Sequence, residues 1–494
     1  MNRTTLSLIG VATALAAVTG FAAVSAPEPT GTGTAEAAAE LPVERTSLLC
    51  PAPSTSDLAE TAYASFTPVV EGTADKGKAE LRSVAPESGD GDDKSGADKP
   101  VLEPKEPGTP AEGDSTGGES PALIGTAEGG FAPGWTVQET TEVAAGSGRG
   151  LQGVNCSAPD TEFWFPGAST SAGRTDYVHL TNPDDSAAVV DIELYGKDGD
   201  LESAVGEGIT VAPGASEPIL LSTLTGAKET DLTVHVNVRS GRVGAAVQAL
   251  DDEIGGDWLA AATDPAGSLV LPGIPKDATA VRLIAFTPED TDADLKVQLA
   301  STSGLITPAG HETLRVKAGV TTAVDLGDLT RGEPGSLVLT PTDRAVPVVA
   351  AVQVVRGKSG SQESAFISAV RPVGARATAV GNTGKGVTLS LVAPGETAQV
   401  KVTASAGAKG GEAVSKTYTI KSGTTQSVDL PVPGGLKGTY ALTVEHVSGG
   451  EVYASRTLTA AQDAVPAFTV QTLPDDRGTV KVPKAEQDLS VLQK

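Results

Sequence analysis

Few residues of this sequence combine the types and the spacing that catalysis needs. Gly113–Gly117 has the Gly-x-Ser-x-Gly spacing of serine hydrolases, which requires a strand-to-helix elbow to expose the serine, but it lies in an acidic stretch that predicts no elbow. Gly148–Gly153 has the Gly-x-Gly-x-x-Gly spacing of dinucleotide-binding folds, which must open a helix, but a cysteine and a strand-like run follow it. We therefore predict no catalytic residue in either motif.

The candidate metal ligands are equally sparse. The histidines share no repeated position along the chain and predict no ligand set; they are His179, His235, His311 and His446. Asp290–Asp294 has the first acidic spacings of a calcium loop, but Leu295 stands where the sharp turn needs glycine and Ser301 where a bidentate glutamate is needed. The sequence thus predicts no metal site, no cofactor and a protein that is not an enzyme.

One segment, Asn155–Gly167 ("NCSAPDTEFWFPG"), concentrates a cysteine, two phenylalanines and a tryptophan in a chain that is only 3% aromatic. Two hypotheses account for it. The rings fill a hydrophobic core, or Trp164, together with Trp258, forms an exposed face on which a glycan stacks. The internal repeat of the chain favours the first hypothesis.

The N-terminal 26 residues read as an export signal. An arginine near the start is followed by an Ala/Val/Leu-rich run, and Ala23–Ala26 is a small-residue cleavage region. The apolar run from Leu6 to Val24 is also just long enough to span a bilayer, so an uncleaved N-terminal anchor is the alternative. Either way the rest of the chain is expected outside the cytoplasm, secreted or tethered to the membrane by this segment.

The chain has two cysteines, Cys50 and Cys156. In an exported protein a lone pair predicts a disulfide, and two free buried thiols are the alternative. A catalytic cysteine is not predicted, because no histidine-bearing motif lies near either residue.

Composition bounds the architecture and the partners. The 494 residues exceed one domain, and 58 glycines and 33 prolines favour many short strands and turns over long helices. The formal charge of -26 repels phosphate backbones, so nucleic acid is not an expected partner. The acidic, Pro/Gly-rich run at about 85–122 predicts a disordered loop within an N-terminal part-domain at 41–150.

An internal repeat follows this part-domain. Thr175–Leu250 aligns with Ala280–Val355 without a gap, and both contain the run Ala-Ala-Val-Gln near their ends. A third copy begins near Leu391, where "LVAPGETAQVKVTA" matches "AFTPEDTDADLKVQL" of the second. In each copy apolar residues alternate with polar ones, which is the period of a strand with one buried face.

Short alternating strands separated by frequent turns predict an all-β protein of three tandem immunoglobulin-like β-sandwich modules with a disordered acidic insertion near the N-terminus. The alignment gives the modules approximate bounds, which are 151–257, 258–363 and 364–465. Residues 466–494 are expected to form cap strands and a tail, as repeat arrays need at their ends.

The repeat also bears on the aromatic segment. A shift of one repeat places Trp164 and Phe165 over Val270 and Leu271, and the third copy has "ATAVG" at Ala377–Gly381. A position that holds a phenylalanine, a leucine and then Val380 behaves as core. We therefore expect these rings to be buried.

The run "NCSAPDTEFWFPGAST…YVHLTNP" resembles an uncharacterised family of large exported actinobacterial proteins that is described only as a domain of unknown function. The residues that carry the resemblance are Cys156, Trp164, Phe165, Asn182 and Pro183. Pro166 departs from the family pattern, in which an aliphatic residue is expected. The resemblance implies a secreted or membrane-tethered protein encoded near a cell-envelope glycosyltransferase, and it implies no reaction.

The leading hypothesis is a non-enzymatic, exported cell-envelope protein that acts as a spacer or adaptor linked to envelope glycan assembly. Its expected partners are an envelope polymer or a membrane-associated envelope enzyme. A glycan-binding protein that uses Trp164 and Trp258 is the alternative, and an envelope hydrolase is a remote one.

Overall fold

A computed structural model describes residues 39–70, 72–73, 76–84, 99–203, 205–462 and 465–482. The regular elements in those ranges are antiparallel strands and one helical turn, α1 (Leu221–Leu224), which confirms the predicted all-β class. In the same ranges no helix has the length and apolar character to cross a membrane. The predicted signal or anchor at 1–26 lies outside the described residues.

Residues 42–479 form one compact unit, in which the strands group into four successive modules. A separate pair, β1 (Ala39–Pro42) and β37 (Thr479–Val482), forms a two-stranded sheet. We call the first group the N-module. Its strands are β2 (Arg45–Cys50), β3 (Ala59–Phe66), β4 (Gly77–Ser83), β5 (Ala111–Thr116), β6 (Leu123–Gly129), β7 (Thr136–Val143) and β8 (Gly150–Asn155).

The other modules are the three repeats. Module 1 contains β9 (Glu162–Ala168), β10 (Arg174–Thr181), β11 (Ala188–Gly196), β12 (Gly199–Leu201), β13 (Ile209–Val211), β14 (Ser216–Leu220), β15 (Leu232–Ser240), β16 (Gly244–Asp251) and β17 (Gly255–Leu259). Module 2 contains β18 (Leu269–Ile274), β19 (Ala278–Phe286), β20 (Ala293–Ala300), β21 (Leu305–Ile306), β22 (Thr313–Val316), β23 (Thr322–Gly327), β24 (Gly335–Pro341), β25 (Val349–Lys358) and β26 (Ser361–Ser368). Module 3 contains β27 (Arg376–Asn382), β28 (Val387–Ala393), β29 (Ala398–Ala404), β30 (Gly410–Glu412), β31 (Val414–Ile420), β32 (Thr424–Val428), β33 (Gly434–Lys437), β34 (Tyr440–Gly449), β35 (Tyr453–Gln462) and β36 (Val465–Thr472).

All four modules have the same topology of two sheets. The first strand of each module pairs in one sheet, in the orders β2-β6-β4, β9-β15-β11, β18-β24-β20 and β27-β34-β29. The last strand lies at the edge of the other sheet, in the orders β5-β3-β7-β8, β14-β10-β16-β17, β23-β19-β25-β26 and β32-β28-β35-β36. A buried apolar core lies between the two sheets of each module. The part-domain expected at 41–150 is therefore a fourth complete module.

The last strands correct the predicted module bounds. Residues 151–155 belong to β8 of the N-module, and the predicted cuts after 257 and 363 fall inside β17 and β26. The segment expected to begin a C-terminal cap at 466 is β36, which completes module 3. A repeat alignment fixes the period of a repeat but not the point at which each unit begins, and this accounts for the error.

Part of the segment predicted to be a disordered loop is ordered. Residues 85–98 lie outside the described part of the chain, but 99–122 are placed and include β5, which pairs along β3. The polar sequence of β5 suits an edge strand, and composition alone cannot tell that from a loop. The serine of Gly113–Gly117 lies in this strand, so the motif forms no nucleophile elbow.

The modules contact one another in a closed cycle. The N-module contacts module 1, each module contacts the next, and module 3 contacts the N-module. Small apolar clusters fill the four interfaces, which are Val154/Ala246/Trp258 (N–1), Trp164/Phe286/Val349 (1–2), Val270/Ala300/Val338/Val392 (2–3) and Ala64/Phe66/Val380/Ala441 (3–N). In modules 1, 2 and 3 the sheet that holds the first strand faces the next module, and the other sheet faces the preceding one.

The predicted disulfide is confirmed. Cys50 ends β2 and Cys156 follows β8, so the bond joins the first strand of the N-module to the residue after its last strand. Both cysteines are buried in the core of that module. Leu49 and Ser157 exchange backbone hydrogen bonds beside the bond.

Replacing Cys50 and Cys156 together by alanine should lower the free energy of unfolding by about 2–4 kcal/mol. The bond spans a sequence separation of 106 residues, and without it the unfolded chain gains the entropy of that open loop. Urea unfolding followed by tryptophan fluorescence measures the difference. A curve that coincides with that of the wild type would contradict this assignment.

Candidate functional site

The two tryptophans proposed as a glycan-binding face are buried. Trp164 lies on β9 with 5% of its surface exposed, and its ring packs on Phe286 of module 2. Trp258 lies on β17 with 2% exposed, against Val154 of the N-module, with its ring edge-to-face with that of His179. The exposed-face hypothesis is therefore wrong for both residues, because the module interfaces cover the sheet faces that carry them.

The residue beside Trp164 shows why both faces of β9 are apolar. Phe165 points into the core of module 1, whereas Trp164 points out of the module. Leu271 and Val270 of β18 divide in the same way between the core of module 2 and the next interface. The expected burial of these rings is confirmed, but only alternate residues are core of their own module.

The third copy shows a one-residue correction of the predicted register. Phe165 pairs with Val234, and the equivalent pair in module 3 is Ala379 with Leu442. Val380, which the sequence comparison placed in the core, instead packs on Ala64 of the N-module. Because side chains alternate along a strand, a shift of one residue exchanges the two faces.

A glycine in the first strand of each of the three repeat modules allows the modules to approach. Gly167, Gly273 and Gly381 all have positive φ, a conformation that side chains disfavour. At the 2–3 interface a Cβ on Gly273 would lie 1.8 Å from the Ser455 hydroxyl oxygen of module 3. The Pro-Gly pairs of the first two repeats therefore mark an interface.

Replacing Gly273 by alanine should destabilise the protein by about 2–4 kcal/mol, because a clash adds to the strained φ. Gly360 is the matched control, since it has a φ of +82° but no heavy atom within 4 Å of the position that a Cβ would take. The control should cost only about 1 kcal/mol. Thermal unfolding of both variants measures this, and equal losses would contradict the proposed role of the close approach.

The last strands of the four modules meet at a central junction, where β8 contacts β17, β17 contacts β26, β26 contacts β36 and β36 contacts β8. A fully buried carboxylate, Asp257 of β17, lies in this junction. It accepts hydrogen bonds from the backbone N–H of Gly153 at 3.0 Å and from the hydroxyl of Thr469 at 3.0 and 3.1 Å. The backbone N–H of Phe366 also donates to it. One side chain thus bonds to the other three modules.

Burial strongly affects the acids of the junction. It raises the pKa of Asp257 well above its usual range, and the hydrogen bonds from Gly153, Trp258, Thr469 and Phe366 oppose that shift. Burial raises the pKa of Glu363 on β26 to about 7, against the opposing hydrogen bond from the N–H of Phe468. The junction is therefore a polar contact kept from water.

The space left at the junction is small. Strands β8, β17, β26 and β36 line a cavity of about 10 Å³, which is at the lower limit for a single water molecule. The junction is filled by protein at this point.

Glu363 gives the stability of the protein a pH dependence. A glutamate of an unfolded chain titrates near pH ~4.3, so a pKa of about 7 means that the folded state holds the proton more strongly. The stabilising contribution is complete below the unfolded value and is lost as the pH rises to about 7. Glu363→Gln should therefore lose less stability than the wild type between about pH 5 and pH 8.

Urea unfolding at each pH measures this effect, and Glu289→Gln, at an exposed turn, serves as the control. The control should follow the wild-type pH dependence. If Glu363→Gln follows it as well, the buried carboxyl group does not contribute as described.

The larger of the two described clefts lies at the 3–N interface and has a volume of about 350 Å³. The acidic side chains Asp476 and Glu445 in its wall are paired with basic residues. Arg376 pairs with Asp476 at 2.5 Å, and Lys401 donates to Glu445 at 3.0 Å. Val70 of the N-module and the 54%-exposed Val447 of module 3 line the cleft as well. The cleft offers a contact surface of mixed polarity rather than a reactive group.

The other candidate residues do not converge. Across the described ranges, no group of three or more His, Cys, Asp or Glu residues is arranged to hold a metal ion. Asp292 of the calcium-like loop pairs instead with Arg315 and the backbone N–H of Ala318. Burial lowers the pKa of His179 to about 4, and His446 contacts the carbonyl oxygen of Gly450.

Sequence reasoning missed the interfaces and the junction. The signal for the junction was Asp257 itself, an acid in the short strand "GGDWL" between glycines and large apolar residues. The signal for the interfaces was the run of apolar residues on both faces of the first strands, as in "LVLPGI". Strands buried on both faces lose the simple alternation of a surface sheet.

These features define an all-β protein of four two-sheet modules closed around a filled polar junction. A family of unknown function, DUF5719, matches residues 111–431, a range that includes parts of all four modules. The chain belongs to this family. Neither a curated protein nor a solved structure matches the chain.

Proposed function

We propose that this protein is a non-enzymatic, exported cell-envelope protein that acts as a spacer or adaptor for envelope glycan assembly. The observation that carries the proposal is the closed cycle of modules, in which the interfaces bury the large aromatic side chains and Asp257 bonds to every other module. A body built in this way holds attached surfaces at fixed positions. Its aromatic residues at the interfaces pack the modules together and are not exposed for ligand stacking.

Export is supported by the buried disulfide, because such bonds persist in oxidising compartments. The N-terminal sequence supports the same location, either as a cleaved signal or as a membrane tether. The expected partner is an envelope polymer or a membrane-associated envelope enzyme. The 3–N cleft is the proposed contact surface, since it combines exposed apolar groups with a charged wall.

A photo-crosslinking residue at Val447 tests this proposal in intact cells. Val447 lines the cleft, and Val205, which is 58% exposed, provides a control position outside it. We expect Val447 to capture an envelope polymer or a membrane-associated envelope enzyme and Val205 to capture neither. N-terminal sequencing of the recovered chain distinguishes a cleaved signal from an anchor.

Recovery of the uncrosslinked protein alone from both positions would contradict the adaptor role. Capture of a soluble cytoplasmic protein would contradict the proposed location. Equal capture from Val205 would show that the cleft is not the contact surface.

A further inference from the structure

A chain of polar side chains crosses the outer face of module 1 at the 1–2 interface. It runs over three neighbouring strands, with Glu162 and Trp164 on β9, His235 on β15, and Glu193 and Tyr195 on β11. The indole N–H of Trp164 donates to Glu162 at 3.0 Å, and the hydroxyl of Tyr195 donates to Glu193 at 2.8 Å. His235 lies between the two carboxylates.

The ring of His235 contacts a carboxylate through each of its two nitrogens. Nδ1 is 2.8 Å from Oε2 of Glu193, and Nε2 is 3.2 Å from Oε1 of Glu162. Ionised carboxylates only accept hydrogen bonds, and a neutral imidazole has a single N–H to donate. Both contacts are therefore hydrogen bonds only when the ring is the imidazolium cation.

The stacking of His235 points to the same state. Its ring lies 3.7 Å from that of Trp164, at an interplanar angle of 10°, and a cation over an indole face is attracted to it. The side chain of His235 is only 12% exposed. A charge in that position is stabilised by the two carboxylates and the ring together.

The same residues hold the neighbouring module. The rings of Trp164 and Tyr195 lie 5.6 Å and 4.6 Å from that of Phe286 on β19. The carbonyl oxygen of Trp164 accepts a hydrogen bond from the backbone N–H of Ala262, in the linker between the modules. Movement of Trp164 would therefore disturb the 1–2 interface directly.

The charged surroundings of His235 are simple. Glu162 and Glu193 face it from β9 and β11, and the ion pair of Asp191 with Arg239 lies further along the same sheet face. The module 2 strands that pack on this cluster contribute Phe286 and Val349, and the linker contributes Ala262. Protonation of His235 thus changes the charge facing two carboxylates and an aromatic interface.

We propose that His235 is a pH-sensitive clasp, which fastens module 1 to module 2 when its ring is doubly protonated and loosens the interface when it loses a proton. This goes beyond the adaptor role, because it makes the rigidity of the cycle respond to acidity outside the cell. The 2–3 interface lacks the device. Val338 stands there opposite Val270, where module 1 has His235 opposite Trp164.

Hydrogen exchange of the full-length protein at about pH 5.5 and pH 8, corrected for intrinsic exchange, tests the clasp through the linker amides at 260–264. We expect exchange to be about tenfold faster at the higher pH in the wild type, equivalent to the loss of roughly one charge-assisted hydrogen bond. His235→Gln should show no such change. His311→Gln, in a turn of module 2, should behave as the wild type, and the amides of the 2–3 interface should not respond in any of the proteins.

Nitrogen NMR of the His235 ring provides a second readout that does not depend on the variant folding. Two protonated ring nitrogens at about pH 5.5, and the loss of one proton in step with faster linker exchange, support the clasp. A neutral ring while the linker remains protected at that pH would overturn it. An unchanged pH response in His235→Gln would also overturn it.

Discussion

The buried carboxylate of Asp257 is the contact on which the arrangement of the modules depends. Taking an acid out of water costs several kcal/mol unless hydrogen bonds replace its hydration, and here those bonds come from Gly153, Phe366 and Thr469 of the other three modules. Removal of one strand from the junction would leave a buried polar group without its partner. The modules are therefore expected to be stable together rather than one by one.

The interfaces follow from the same constraint. Once the last strands meet at the junction, the first strands β9, β18 and β27 of the other sheets lie against the next module, and the side chains that face it have to be apolar. Trp164, Val270 and Val380 meet this requirement with side chains of very different size. The interfaces thus tolerate changes in volume as long as the positive-φ glycines that follow keep the backbones close. This pattern holds the modules together, and it buries the rings of Trp164 and Trp258 so that neither can stack on a ligand.

The features that could be predicted from the sequence are those that depend on a local pattern of residues. Alternation and turns predicted the strands, the repeat predicted three related modules, and the cysteine pair predicted the disulfide. The N-module was not predicted as a complete module, because it shares its topology with the repeats but no recognisable sequence identity. Its edge strand β5 also has the composition of a loop. The register of Ala379 and Val380 could not be read, because both faces of β27 are buried. The role of Asp257 depends on strands far apart in the chain, which no local pattern encodes.

The central claim is that one junction couples four modules into a single cooperative unit. Hydrogen exchange read separately for each module across a urea titration tests it most directly. The wild type should unfold at one urea concentration in all four modules. In Asp257→Ala the modules should unfold at different concentrations, and in the milder variant Asp257→Asn the single transition should shift to lower urea. Four modules that already unfold separately in the wild type, or an Asp257→Ala protein that retains one unshifted transition, would contradict the claim.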